Sequence, residues 1–460
     1  MTEKIIKKES AKEGRTARVA YDGFRLFPSE EKGVLTAINS INCSCADKVL
    51  QGGIGYEYLY NRNGEEIKTA PLKNTLAYYL LEGWANGGGT ELTDYYFVLT
   101  EDGSIYQYSA NLGGYVKKAE VGLQAGIVAA YAPNGETRIL VAGENGGYCV
   151  DGEDWTEIAE TDGEKGTSAI CFSKNRVFLG ERPCKLLYGN PELPWDFTSS
   201  YDDGGYAYLP LNKGNIVDIT EFGDSIYIFF QRGIMRLKPD GLARNFQLSE
   251  AEYSGGEIFA KSVGVCGNWI FFLSENGICR FDGNKVERVG RFLGITPSKS
   301  RQNCAHATVG EYFVLRYFDE LLWMKRTVAL RADGNDGYFL SDFTALNECN
   351  RTPLCAVGTR LATLKLGGNL PDGEKRVFES DFISLGGEGK KYLKSVTFYG
   401  EGCFAFEVFD GEAWTAFEIE DMIQKKTLKI GLHAEDFRFR FIIHKEAKLR
   451  RLVVEYERMG

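Results

Sequence analysis

Trp269-Ile270-Phe271-Phe272-Leu273, then Glu275-Asn276-Gly277, then Ile278-Cys279-Arg280-Phe281 is the stretch whose reading decides the fold. Two apolar, β-prone runs flank an Asn-Gly pair. Asn-Gly accepts the positive φ angles of a type I′ turn, so the stretch reads as a tight antiparallel hairpin. A Gly-bounded strand precedes it at Lys261-Ser262-Val263-Gly264-Val265. A short polar strand follows at Lys285-Val286-Glu287-Arg288-Val289. Four short antiparallel strands in sequence make one blade of a β-propeller.

The same unit recurs along the chain. Tyr95–Tyr108 carries it around Glu101-Asp102-Gly103, and Ile226–Leu237 around Arg232-Gly233. Anchored at Phe97, Ile139, Phe178, Ile228, Phe271, Phe313 and the weaker Ala362, the copies return every ~40–50 residues, the period of propeller blades. Seven anchors predict seven blades, with six as the alternative because the last copy is weak. The seventh is expected from residues 355–370, closed by a strand from residues 45–62, where Tyr56-Glu57-Tyr58-Leu59-Tyr60 alternates suitably. Pairing the two ends of the chain removes free sheet edges.

Composition agrees with an all-β chain. The 460 residues hold 54 glycines, 11 prolines, 29 Phe, 25 Tyr and 6 Trp, a mixture of strand formers and turn residues. No sustained 3.6-residue apolar stripe marks a long helix; one short helical turn is expected at Asp421-Met422-Ile423-Gln424-Lys425. After about residue 372 the pattern changes to alternating strands. Phe437-Arg438-Phe439-Arg440-Phe441 places aromatics on one face and arginines on the other. In the last strand Leu452, Val454 and Tyr456 share a face. These strands predict a C-terminal β-sandwich. The expected organisation is an extended arm at 1–18, a propeller at 19–372 and the sandwich at 373–460.

Charge and cysteine content narrow the function. The formal net charge is −10, which argues against sequence-specific nucleic-acid binding. No run of ~18 apolar residues offers a membrane span, and the first residues contain no stretch of signal-peptide type. The eleven cysteines are irregularly spaced and read as reduced, buried thiols. Cys43-Ser44-Cys45 has no second close pair to complete a four-ligand zinc site. No metal and no cofactor is expected.

Catalytic patterns are sparse. The three histidines are His306, His433 and His444. His306 reads as a hydrogen-bonded core or channel residue on an inner strand, and His444 as a surface residue. Gly87-Gly88-Gly89 and Gly386-Gly387-Glu388-Gly389-Lys390-Lys391 lack the spacing of a phosphate-binding loop and read as loops. Asp333-Gly334-Asn335-Asp336-Gly337 fails the calcium-loop pattern and reads as a hairpin turn. Asp151-Gly152-Glu153-Asp154-Trp155 and Asp410-Gly411-Glu412-Ala413-Trp414 read as tight turns, each packing its Trp on a neighbouring strand. They are similar to the Asp-box hairpin of sialidase-like propellers, with the Trp one residue early and no preceding Ser. The chain is expected not to be an enzyme.

A further stretch runs Arg176–Gly180, then Lys185-Leu186-Leu187-Tyr188-Gly189-Asn190-Pro191-Glu192-Leu193-Pro194-Trp195-Asp196-Phe197, then Val217–Ile226 and Arg232–Leu237. It resembles β-propeller proteins of tailed bacteriophages and prophages that sit at the head-to-tail junction or in the tail. Gly33–Ser40 looks like the entry segment of such proteins, and Phe378–Phe382 leading to Lys391–Phe398 like their terminal β-domain. The resemblance implies a virion structural protein assembled in the bacterial cytoplasm and docked to other particle subunits, in a homo-oligomeric ring. The basic arm, through Lys4, Lys7, Lys8 and Arg15, is expected to meet acidic groups of another subunit. The alternatives are a glycan-binding or sialidase-like propeller and a bacterial interaction scaffold.

Overall fold

The computed structural model describes residues 16–26, 33–61, 64–67, 75–85, 92–109, 111–161, 166–198, 203–301, 303–341, 343–358, 360–386 and 388–459. Among them there is no α-helix, only four short 3₁₀ segments between strands. The chain divides into two compact units. The larger comprises Tyr58–Thr327 and Asp342–Thr363; the smaller comprises Met1–Glu57, Val328–Ser341 and Leu364–Gly460.

Six four-stranded antiparallel sheets give the chain a six-bladed β-propeller arrangement. The first blade is Thr75–Ala85, Leu92–Thr100, Ser104–Ser109 and Gly114–Glu120. The second is Gly126–Tyr131, Thr137–Gly143, Gly146–Asp151 and Asp154–Glu157. The third is Thr167–Ser173, Arg176–Glu181, Lys185–Tyr188 and Gly205–Tyr208. The fourth is Ile216–Phe222, Ser225–Phe230, Gly233–Lys238 and Gln247–Ala251. The fifth is Gly264–Cys266, Trp269–Ser274, Gly277–Phe281 and Val286–Arg288, the stretch quoted first above. The sixth is Thr344–Cys349, Thr352–Val357 and Arg360–Leu366, with Ile54–Tyr58 as its fourth strand. A further run, Ala305–Val309, Tyr312–Asp319, Met324–Arg331 and Gly337–Leu340, is hydrogen-bonded in that order within a larger sheet. Its first strand packs beside the first strands of both the fifth and the sixth blades.

The second strands of the blades carry the densest burial. Ser225–Phe230 is buried throughout, and Ile270–Leu273 and Phe313–Leu315 are fully buried. Aromatic contacts join neighbouring blades, as Phe229 meets Phe272 with ring centroids 5.4 Å apart. Strands buried on both faces pack against the next blade on each side, which is why these segments read as continuous apolar runs rather than alternating ones.

In the smaller unit the strands form one continuous sheet, with Leu35–Ile41, Arg376–Ser380, Arg438–Ile443, Lys391–Phe409 and Lys448–Arg458 as successive neighbours. Lys391–Phe409 pairs along its whole length with Trp414–Ala434, and its other edge takes Lys448–Arg458 first and Arg438–Ile443 second. The expected face alternation is present: Phe437, Phe439 and Phe441 are buried, while Arg438 and Arg440 pair with Glu379 at 3.0 and 2.9 Å. Asp421–Lys425, expected as a helical turn, instead lies inside the strand Trp414–Ala434. Asp421 and Gln424 take positive φ angles there, 45° and 66°, so these residues bend a strand rather than start a helix.

The boundaries drawn from sequence, 1–18, 19–372 and 373–460, do not follow this division. Of the expected arm, residues 1–15 lie outside the described residues. Thr16–Tyr21 is a strand paired antiparallel with the C-terminal strand, Thr16 opposite Glu457 and Val19 opposite Val454. Phe24 packs edge-on against Phe378 and Phe441, both at 5.6 Å. Long-range pairing of this kind leaves no local pattern for a boundary to follow.

Candidate functional site

The first strands of the first four blades and of the sixth, with Lys261 from the turn before the fifth and Ala305-His306, line a cavity of about 270 Å³ in the larger unit. Leu76, Leu99, Ile127, Val128, Ile170 and Leu346 make one part of its wall apolar. Asp218, Lys261, His306, Arg316 and Glu348 make another part charged or polar. Close approach at one point requires glycine: a Cβ on Gly126 would meet the Ile170 side chain at 2.5 Å and the Lys261 amine at 3.6 Å.

Lys261 comes from the turn before the fifth blade, with φ 59°, and its Nζ donates to the carbonyl of Ala125 at 2.9 Å. The Tyr79 hydroxyl donates to the same carbonyl at 3.1 Å. The His306 ring sits over the backbone of the same lysine, Nδ1 to Lys261 O at 3.1 Å. A carbonyl only accepts, so Nδ1 carries the hydrogen of this bond. The ring is held nearly parallel to Phe313, centroids 6.1 Å apart.

Burial sets the electrostatics of this group. It raises the Asp218 carboxyl above the usual carboxylate range, opposed by Lys261 and His306. It lowers the Lys261 amine, opposed by Asp218 and Glu144. One Asp218 oxygen accepts from the Ile219 N–H at 2.9 Å. A Glu348 oxygen accepts from the Thr308 N–H at 2.7 Å, and Arg316 donates to Phe343 O at 3.0 Å.

The ring of inner strands is also pinned by side chains that mimic backbone. Asn347 donates to Tyr78 O at 2.7 Å and accepts from Tyr78 N at 3.0 Å. The Cys349 thiol reaches Leu80 O at 3.4 Å. These bonds join the sixth blade to the first. No sequence motif marked them, because Asn and Cys in a strand carry no signal for pairing in this role.

The sequence-singled residues fall into distinct places. Lys4, Lys7, Lys8 and Arg15 lie outside the described residues, as does Gly87-Gly88-Gly89. His306 lies on the strand Ala305–Val309, against the cavity. The His433 ring lies tilted against Tyr392, centroids 4.7 Å apart, in the smaller unit. Lys261, Asp218 and Glu348 were not singled out, since their convergence depends on three separate blades.

The other motifs are structural. The Trp155 indole N–H donates to Gln107 Oε1 at 2.8 Å, and its ring meets Phe97 at 6.1 Å. Asp410 Oδ1 accepts from the N–H groups of Glu412 and Ala413 at 3.0 and 2.9 Å, while Arg440 lies 3.8 Å over the Trp414 ring. The Asp336 carboxylate accepts from Ser44 Oγ at 3.0 Å and Cys45 N at 3.3 Å. Burial pushes the Cys43 and Cys45 thiols up, away from the thiolate a metal would need. Among the described residues no group of three or more His, Cys, Asp or Glu is placed to hold a metal ion.

No family model and no curated protein matches the chain. Solved structures do. The computationally designed Ika8 protein is 13% identical with a TM-score of 0.41, the match covering 77% of this chain and 98% of that one. U3-55K is 8% identical, TM-score 0.37, covering 63% and 98%. BBS1N, solved in complex with ARL6DN, is 16% identical, TM-score 0.31, covering 50% and 72%.

Proposed function

We propose that this chain is a structural component of a tailed bacteriophage or prophage particle, at the head-to-tail junction or in the tail. Its propeller serves there as a docking platform for other particle subunits and for further copies of the chain in a ring. The chain turns over no substrate in this role, and its location is the virion. The observation that carries the docking role is the hairpin end Leu321-Leu322-Trp323-Met324. These four consecutive apolar side chains are 79, 51, 55 and 53% exposed. Trp323 is braced rather than loose, with Phe318 at 5.6 Å and Arg301 at 4.3 Å over its ring. Contiguous apolar surface that is held in place is typical of a protein contact site.

The stretch that carries the phage resemblance supports the same reading. Asn190 N–H donates to Asp196 O at 2.9 Å and Val177 N–H to Pro194 O at 3.3 Å. Phe197 is buried and Arg138 lies over Trp195 at 5.5 Å. The motif is thus a packed element of the third blade.

Within this proposal the propeller has seven blades, the run from Ala305 to Leu340 supplying the one between the fifth and sixth. Its support is the place of Ala305–Val309 between the inner strands of those two blades. The C-terminal sheet folds on itself as a sandwich. The bend falls at Gly400 and Gly402, with φ 156° and 93°, and brings Phe398 within 5.2 Å of Phe404 and 4.9 Å of Phe406.

Mass spectrometry of density-gradient-purified particles from the host tests the function. The chain is expected to co-sediment with portal and tail subunits in a fixed ratio. A chain found only in the soluble fraction of the lysate overturns the proposal.

A further inference from the structure

We propose that the propeller cavity is a capture site for a small, neutral aldehyde with an apolar body, which Lys261 holds as an imine. This inference goes beyond the particle role and does not depend on it.

Three observations carry it. The first is space beside an amine. The cavity measures about 270 Å³ and Lys261 lines it, near the ~300 Å³ lower end of ordinary small-molecule sites. The second is charge. Asp218, Lys261, Arg316 and Glu348 all line the cavity, and burial pushes Asp218 and Lys261 both towards their neutral forms, so a proton passed from the lysine to the aspartate leaves the lining's net charge at zero. A guest with its own charge leaves one buried charge uncompensated, which costs free energy; a neutral guest does not. The third is the wall of Leu76, Leu99, Ile127, Val128, Ile170 and Leu346, which favours an apolar body on the guest.

The geometry around the amine fits the chemistry. One N–H is held on Ala125 O at 2.9 Å, which aims the side chain and leaves the lone pair of the neutral amine for a carbonyl carbon. Burial favours that neutral form, against the opposing charges of Asp218 and Glu144. Lysines activated by desolvation form Schiff bases in this way. In the reaction Nζ bonds to the carbonyl carbon, and the nitrogen gives up two protons. The carbonyl oxygen leaves with both as water, so no oxidant or reductant is consumed.

The test uses the full chain with butanal and sodium cyanoborohydride at neutral pH. Peptide mass spectrometry then reads the rate of reductive alkylation at each lysine. Lys261 is expected to be modified at least about tenfold faster than the exposed Lys325 and Lys365, because its buried amine is held more in the neutral form than theirs. Lys261→Arg removes the fast site. Leu123→Trp, at a cavity-lining position that is 45% exposed, keeps the amine but fills the space, and is expected to slow the fast phase at least fivefold while leaving surface lysines unchanged. Glyoxylate, an anionic aldehyde, is expected to react more slowly than butanal at Lys261. A Lys261 rate no greater than that of the surface lysines overturns the proposal. So does a fast phase unaffected by Leu123→Trp, or a preference for glyoxylate.

Discussion

Asp224, in the turn that follows Phe222, shows how much a single exposed residue can do. One of its oxygens accepts from the Ser225 hydroxyl at 2.7 Å and from Arg236 at 3.0 Å. Lys238 approaches the other at 3.4 Å. Together these hold its carboxyl at about 2. The folded value lies below the unfolded one, so the group contributes stability above the ordinary carboxylate range, and loses it as pH falls towards 2. The expected result is an Asp224 titration midpoint near 2 by NMR, and an Asp224→Asn variant whose stability falls less between pH 4 and pH 2 than that of the parent. A midpoint near 4 rules this out. The Gly223-Asp224 turn was legible in the sequence because Gly-Asp between two apolar runs has a local meaning. The partners Arg236 and Lys238, on the strand Gly233–Lys238 that pairs with Ser225–Phe230, follow from the period of two along a hairpin.

At the scale of the element, the hairpin Asp151–Trp155 ties the second blade to the first. Trp155 pairs with Gln107 through its N–H and meets Phe97 and Tyr148 with its ring, at 6.1 and 5.7 Å. Trp155→Ala removes both contributions and is expected to cost about 2–4 kcal/mol, somewhat below a fully buried Trp. Trp155→Phe keeps most of the packing and loses the hydrogen bond, at about 1 kcal/mol. Urea denaturation of the two variants separates the terms; equal losses would mean that the ring contact contributes nothing. The hairpin was readable from Asp-Gly alone. Its partner strand was not, because Gln107 lies 48 positions earlier. Asp421–Lys425 shows the opposite failure. A short amphipathic run satisfies a helical turn locally, but the strand Lys391–Phe409 supplies backbone partners on both sides of it, Gly402 opposite Met422 and Tyr399 opposite Lys425. Tertiary pairing overrides so weak a local preference.

For the whole molecule, the smaller unit is assembled from three separated pieces of chain. Residues 373–460 expressed alone lack the strands Thr16–Tyr21 and Leu35–Ile41, which pair with Lys448–Arg458 and Arg376–Ser380. They also lack Phe24, which covers Phe378 and Phe441. The fragment is therefore expected to show no cooperative thermal transition and poor amide dispersion by NMR. Adding residues 16–53 through a flexible linker is expected to restore both. A fragment of 373–460 that melts cooperatively by itself would show that the N-terminal strands are dispensable.

The sequence by itself determined the all-β class, the repeated hairpin and its turns, and the inward faces of strands such as Phe437–Phe441. Each of these depends on residues within one or two turns of chain, where φ preference and side-chain alternation act directly. Only the tertiary structure decided that Thr16–Tyr21 closes against the C-terminal strand. It alone gathered Asp218, Lys261, His306 and Glu348 around one cavity, whereas the pairing of Ile54–Tyr58 with the sixth blade was legible in the alternation of Tyr56–Tyr60. The cavity residues come from separate sheets, and each is an ordinary strand or turn residue in its own neighbourhood. Their meaning arises from closure of the ring, which depends on many long-range contacts at once and leaves no mark in any single segment.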